Sequence, residues 1–214
     1  MTEASERFAR MHAALRDRIC LLDYTPGTRL SEAELATEFK TSRTPVRRVL
    51  ARLEDEGLVQ TRHGIGTIVT DADIRTMAQT YELRMELAQL AGQLSPRPVR
   101  PADLQRLDAL CRQTEALVIT PDPRAFAVLN MHLHQFLTSL TSNAALCQVS
   151  DRLYYQTARI WLLAIPDLDL LSEVQIFAAE IWQIHTALST GDLRAVGLLR
   201  RAHISMSFKR LGGF

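Results

Sequence analysis

Between Lys40 and Leu53 the sequence carries Lys40, Arg43, Arg47, Arg48 and Arg52 with no acid among them, and Glu54, Asp55 and Glu56 follow at once. Positive charge confined to one short stretch suits a duplex groove. If the stretch is helical, Arg43 and Arg47 stand four apart on one face. A guanidinium there can take guanine O6 and N7 together, a contact that discriminates between bases roughly 5- to 150-fold. Ser42, Thr44 and Arg48 are placed for phosphates or peripheral bases, which fix position more than sequence. Net charge would not have revealed this. The whole chain is +1, and residues 1–70 hold eleven Lys or Arg against ten Asp or Glu, also +1.

The elements around these cations can be read in turn. Ser42 has the side chain to cap a helix start, and Pro45 falls in the first turn, where no donor is missed. Val46, Leu50 and Leu53 give that helix one buried stripe. A shorter helix and a turn precede it, within Leu30 to Thr41. After it come two β-prone runs, Leu58 to Arg62 and Thr67 to Thr70, joined at His63-Gly64-Ile65-Gly66, which is hairpin chemistry. Arg62, His63 and Gly64 at that tip could enter a minor groove or grip phosphate. The pattern is that of a winged helix-turn-helix, and its natural partner is double-stranded DNA. A leading helix over residues 4–23 offers Phe8, Met11, Leu15, Ile19 and Leu22 as a stripe, and Pro26-Gly27 ends that unit.

Composition fits one small and one medium domain, with 47% hydrophobic residues to fill their cores. The three cysteines, Cys20, Cys111 and Cys147, have no ligand spacing and point to free thiols in a reduced cytoplasm. Met1 to Arg10 is charged and lacks the apolar core of a signal peptide. No run approaches membrane-spanning length. The domain boundary is expected near Asp71, as the cap of the next helix, giving domains 1–70 and 71–214. Turn residues divide the second domain into six helices, over 72–94, 101–118, 122–141, 144–165, 171–190 and 192–210, the fifth opening on a Ser172/Gln175 capping box. The fold class is mainly α: a winged helix-turn-helix followed by an antiparallel six-helix bundle.

Residues 4–70 resemble the DNA-binding domain of the GntR family of bacterial regulators. The resemblance rests on Pro26-Gly27-Thr28-Arg29-Leu30, Glu34-Leu35-Ala36, Ser42-Arg43-Thr44-Pro45-Val46-Arg47 and Glu56-Gly57-Leu58-Val59. Arg48-Val49 departs from the Glu-Ala common in relatives, which adds a cation. Residues 72–214 resemble the FCD domain of the FadR-type branch, with six helices as in its VanR-type members. The anchors are Leu133-His134 with Leu137, Asn143-Ala144-Ala145-Leu146, Ala187-Leu188 with Gly191-Asp192, and His203-Ile204.

That resemblance implies a homodimer whose helical domain binds a small organic acid, often beside a divalent metal (Zn, Ni or Mn) held by an Asp and three His. Here the Asp position is Asn130, four before His134 on the same face, and the second His position is Ile181. His203 matches. His185 would lie roughly 9 Å from the level of His203 at the rise of a helix, so it joins a metal site only if the helices are offset. The candidate metal ligands are therefore Asn130, His134 and His203, with His185 as a recruit, and no cofactor is assured. Alternatively, His134 and His203 are neutral core histidines bonded to a ligand, a water or each other. Without a metal, an anionic effector would need other cations. Arg84 holds a place where relatives carry a pocket Arg, and Arg159 lies near Tyr155 and Trp161; either could pair with a carboxylate or form salt bridges between helices.

The reading is a DNA-binding transcriptional regulator, a cytoplasmic repressor that answers a carboxylate effector, and not an enzyme. Two other readings remain open: a metal-dependent enzyme or metal sensor built in the bundle, and an architectural DNA-binder without effector.

Overall fold

The structure, a computed structural model, describes residues 3–212. Met1 and Thr2, part of the N-terminal stretch weighed above as a leader, and Gly213 and Phe214 lie outside the described residues. The chain divides into two compact units, Met1–Ala72 and Asp73–Phe214.

The first unit runs α1 (Glu3–Cys20), β1 (Arg29–Leu30), α2 (Glu32–Glu38), α3 (Arg43–Asp55), β2 (Val59–Arg62) and β3 (Gly66–Val69). Helix α1 buries Met11, Leu15 and Ile19. It stops at Cys20 and not at residue 23, because Leu22 takes a left-handed backbone at φ 59° that no helix continues. Ser31 caps α2 by accepting from the Glu34 amide at 3.3 Å. Ser42 occupies the cap position of α3 but makes no side-chain cap bond. The third helical residue there is Pro45, so one of the two amides a cap could bind does not exist. Val46, Val49, Leu50 and Leu53 are buried. The hairpin pairs Val59 with Val69 through Arg62 with Gly66, and Gly64 takes φ 76° at its tip. A third strand, β1, joins the far side of β3 and gives the order β1-β3-β2. Two residues are too short to show a period, so the sequence did not announce it.

The second unit holds α4 (Ala78–Leu90), α5 (Pro101–Ile119), α6 (Pro123–Thr138), α7 (Ala144–Thr157), α8 (Ile160–Ala164), α9 (Leu170–Ser189) and α10 (Leu193–Arg210). Pro101 and Pro123 sit in first turns, where φ is preset and no bond is lost. Three expectations are corrected. Asp71 caps no helix, since α4 begins at Ala78 behind Met77. The helix expected over 144–165 breaks after Thr157, whose hydroxyl bonds back to the Leu153 and Tyr154 carbonyls at 3.0 Å each; such back-bonding bends helices. Helix α9 is capped by Asp169, which accepts from the Ser172 amide, so Ser172 is inside the helix and not its cap.

Helices α5, α6 and α9 enclose the core, with Leu107, Leu133, Phe136, Ile181 and Ile184 sealed from solvent. Asp103, covered by its arginines, accepts from Arg97 at 2.7 and 2.8 Å and from the Arg100 amide at 2.9 Å. The Arg97 guanidinium holds this carboxyl well below the usual range. Among the described residues, no helix is long and apolar enough to cross a membrane.

Candidate functional site

The buried stripe of α3 leaves its other face to solvent. Ser42, Arg43, Thr44, Arg47 and Arg48 are all exposed, as are Arg62, His63 and Gly64 at the hairpin tip. The structure thus keeps every candidate DNA contact accessible on α3 or the wing of one unit. It adds a partner that reading α3 alone missed. Glu32 of α2 accepts from Arg47 Nε at 3.0 Å and from Nη2 at 2.9 Å. That bond lowers the Glu32 pKa and raises that of Arg47. Arg48 lies over the Phe8 ring of α1, 5.7 Å from its centroid. Behind this face, His12 of α1 bonds Glu56 at 2.8 Å and so ties the first helix to the end of α3.

Two of the cavities in the helical unit enclose about 610 and 630 Å³, open solvent at their mouths included. They share Arg84, Tyr154, Arg200 and Ile204 as common wall. The first is mainly apolar, with Leu87, Leu137, Leu140 and Val196 on its sides and His134 at its polar end. The second carries Asn130, Tyr81, Glu173, Glu180 and Arg210. Arg84 donates to Thr157 Oγ1 at 2.7 Å and lies 4.9 Å from the Tyr81 ring centroid and 5.3 Å from that of Tyr154. Desolvation pushes its pKa down, which marks a guanidinium surrounded by protein yet still lining both spaces. Arg200 donates to the buried Glu180 at 2.5 Å. Arg159 is corrected: it is sealed from solvent between α7 and α8 and lines neither cavity.

His134 stacks on Tyr154, with ring centroids 3.9 Å apart, and lies 2.7 Å from Asp151 through Nε2. Burial pushes its pKa down to about 4, against the pull of Asp151. The neutral ring therefore donates Nε2–H to the carboxylate. The unfolded chain, whose histidine titrates near 6.5, binds the extra proton first as pH falls. The stability that neutral His134 confers is thus present above pH 6.5 and lost between 6.5 and 4. Thermal unfolding at pH 7.5 and pH 5 should show a smaller acid loss in His134→Gln than in wild type; equal losses would contradict this.

Residues 9–69 match the family of bacterial regulatory proteins described as gntR, and residues 79–206 match the FCD domain. This chain belongs to the GntR family and carries an FCD domain. An uncharacterized HTH-type transcriptional regulator from an unstable DNA locus of Streptomyces ambofaciens is 31% identical over 203 residues, 92% of this chain and 82% of that protein. The HTH-type transcriptional repressor RspR of Escherichia coli is 24% identical over 186 residues, 86% of this chain and 79% of its own. In fold the chain is similar to E. coli McbR/YncC, with a TM-score of 0.83 at 18% identity over 99% of this chain and 98% of that one. The protein is a DNA-binding transcriptional regulator of the GntR/FCD type, with a mainly helical fold and a small wing sheet.

Within this FCD domain the side chains do not fit the metal that the resemblance implies. Asn130 uses its amide nitrogen on the Phe126 carbonyl at 3.2 Å. His134 is committed to Asp151, and His185 faces Asp108 of α5 at 2.8 Å. His203 bonds Gln183 through Nε2 at 3.0 Å, with Nδ1 3.8 Å from Glu180, and burial lowers its pKa. Ile181 fills the remaining ligand position as core. Among the described residues, no three His, Cys, Asp or Glu side chains stand where one ion could be held. His134 and His203 bond to other residues and not to each other.

Arg200 and Glu180 escaped the reading of the sequence, although a signal for them exists. They lie ten residues after and ten before Thr190, at the turn between α9 and α10, so an antiparallel helix pair sets them level.

Proposed function

We propose that the protein is an effector-responsive repressor that binds a near-palindromic operator as a homodimer. Helix α3 lies in the major groove, where Arg43 and Arg47 read bases and Ser42, Thr44 and Arg48 hold phosphates or flanking positions. The wing brings Arg62, His63 and Gly64 to the adjacent minor groove or backbone. The observation that carries this reading is the exposed basic face of α3, formed by Arg43, Arg47 and Arg48, opposite a fully buried apolar face. The name of RspR is consistent with repression. Cys20, Cys111 and Cys147 form no disulfide among the described residues, which suits a cytoplasmic setting.

The effector is a small carboxylate held without a metal in the helical unit. Arg84 and Arg200 supply charge, His134 and Asn130 supply hydrogen bonds, and His203 acts through Glu180 and Gln183. Coupling of about 1–3 kcal/mol between this site and the operator would change DNA affinity roughly 5- to 150-fold.

Selection of duplexes from a random library by the purified protein tests the DNA half. The expected product is a dyad-symmetric site with half-sites about one helical turn apart, and an asymmetric single site would contradict the dimer. Replacing His134 and His203 with glutamine should leave operator binding intact and blunt ligand-induced release. Unchanged release would remove both residues from the site.

A further inference from the structure

Glu180 is 4% exposed, lines the second cavity, and holds Arg200 at 2.5 Å. Arg200 in turn is one of four residues common to both cavities. Resting on the reading that an organic anion enters these cavities, we propose that Glu180 is a built-in competitor for the effector. Its carboxylate occupies the guanidinium that the effector's carboxylate needs, and binding is an exchange of one for the other.

The surrounding groups suit an exchange. Arg84 is held by neutral partners, the Thr157 hydroxyl and the faces of Tyr81 and Tyr154, so an entering carboxylate meets two guanidiniums on the wall common to both cavities, of which Arg200 is paired with an acid. A buried charge stripped of its partner is costly. The effector must therefore supply Arg200 with a partner as good as the one it removes. A carboxylate satisfies that condition and a neutral ligand of the same shape does not. The same two helices carry a built-in comparison. Glu173 of α9 accepts from Arg210 of α10 at 2.8 and 3.0 Å, also beside the second cavity, but Arg210 does not line the first. That pair zips α9 to α10 without blocking the shared guanidinium.

The test uses the full chain as wild type, Glu180→Gln and Glu173→Gln. Each is titrated with the straight-chain monocarboxylates from acetate to octanoate and the dicarboxylates from malonate to adipate, by calorimetry and thermal shift. Glu180→Gln should bind the preferred probe roughly tenfold tighter or better, because the ligand no longer displaces a charge. Glu173→Gln, whose partner Arg210 lines only the second cavity, should gain clearly less than Glu180→Gln, and Arg200→Ala should not bind. Wild-type binding with no gain in Glu180→Gln overturns the competitor and leaves the effector reading standing, as does equal gain in both glutamine variants. Binding in none of the proteins overturns the effector reading and this inference with it. Should Glu180→Gln lose cooperative unfolding, Glu180→Asp keeps the charge but shortens its reach. It should bind more tightly than wild type, and unchanged affinity there overturns the proposal.

Discussion

Arg43→Ala and Arg47→Ala are each expected to lower the preference for the selected operator over random duplex roughly 5- to 150-fold, as the loss of one bidentate base contact does. Arg48→Ala should instead weaken binding to both duplexes alike and reduce the salt dependence of binding, as the loss of a phosphate contact does. The bond between Arg47 and Glu32 does not stand in the way. Glu32 takes Nε and one hydrogen of Nη2, and a guanidinium has five N–H groups. The edge formed by Nη1 and the second Nη2 hydrogen stays available for guanine O6 and N7. Glu32 then fixes the plane of the side chain, so that less freedom is lost when the base is met. Competition binding at two salt concentrations measures both effects. Operator preference retained in both alanine variants would remove α3 as the reading element.

The elements of the first unit were legible because each has a local cause. Pro26-Gly27, the stripe through Val46 and Leu50, and the glycines of the hairpin specify their structure within a few residues. The Arg47 partner was not legible in this way. The charge pattern of α3 contains no acid, and the acid that matters comes from α2, fifteen residues upstream. The same distinction holds in the helical unit. Helix spans followed from apolar periodicity and turn residues, while the break after Thr157 turned on one hydroxyl bonding backwards. Arg159 beside Tyr155 and Trp161 suggested a cavity wall, and the helix break buries it instead. Arg84 was found through resemblance and does line the cavities. Its companion Arg200 becomes visible only once α9 and α10 are set in register, because the pairing is tertiary and neither helix announces it alone.

Gly92→Ala is expected to destabilise the helical unit by on the order of 3 kcal/mol or more, beyond the usual cost of overpacking. A Cβ at Gly92 would lie 1.9 Å from the Leu193 carbonyl oxygen and 2.6 Å from its carbon. These are backbone atoms at the start of α10, so no side-chain rotation relieves the contact. The approach is reciprocal. A Cβ at Gly197 would meet the Gln89 carbonyl oxygen at 2.7 Å, so one glycine beyond the end of α4 and one inside α10 together let the two helices come this close. Glycine inside a helix is itself unfavourable by about 1 kcal/mol relative to alanine, so Gly197→Ala gains propensity while losing packing, and its net effect should be the smaller. For a unit of this size the Gly92 substitution corresponds to a fall of roughly 10 °C in Tm. Both glycines line the apolar cavity. Forcing α4 from α10 should therefore change carboxylate binding as well as stability, whereas operator binding by the separate winged unit should survive at low temperature. Thermal unfolding of Gly92→Ala with an unchanged midpoint would mean that α4 and α10 do not meet backbone to backbone.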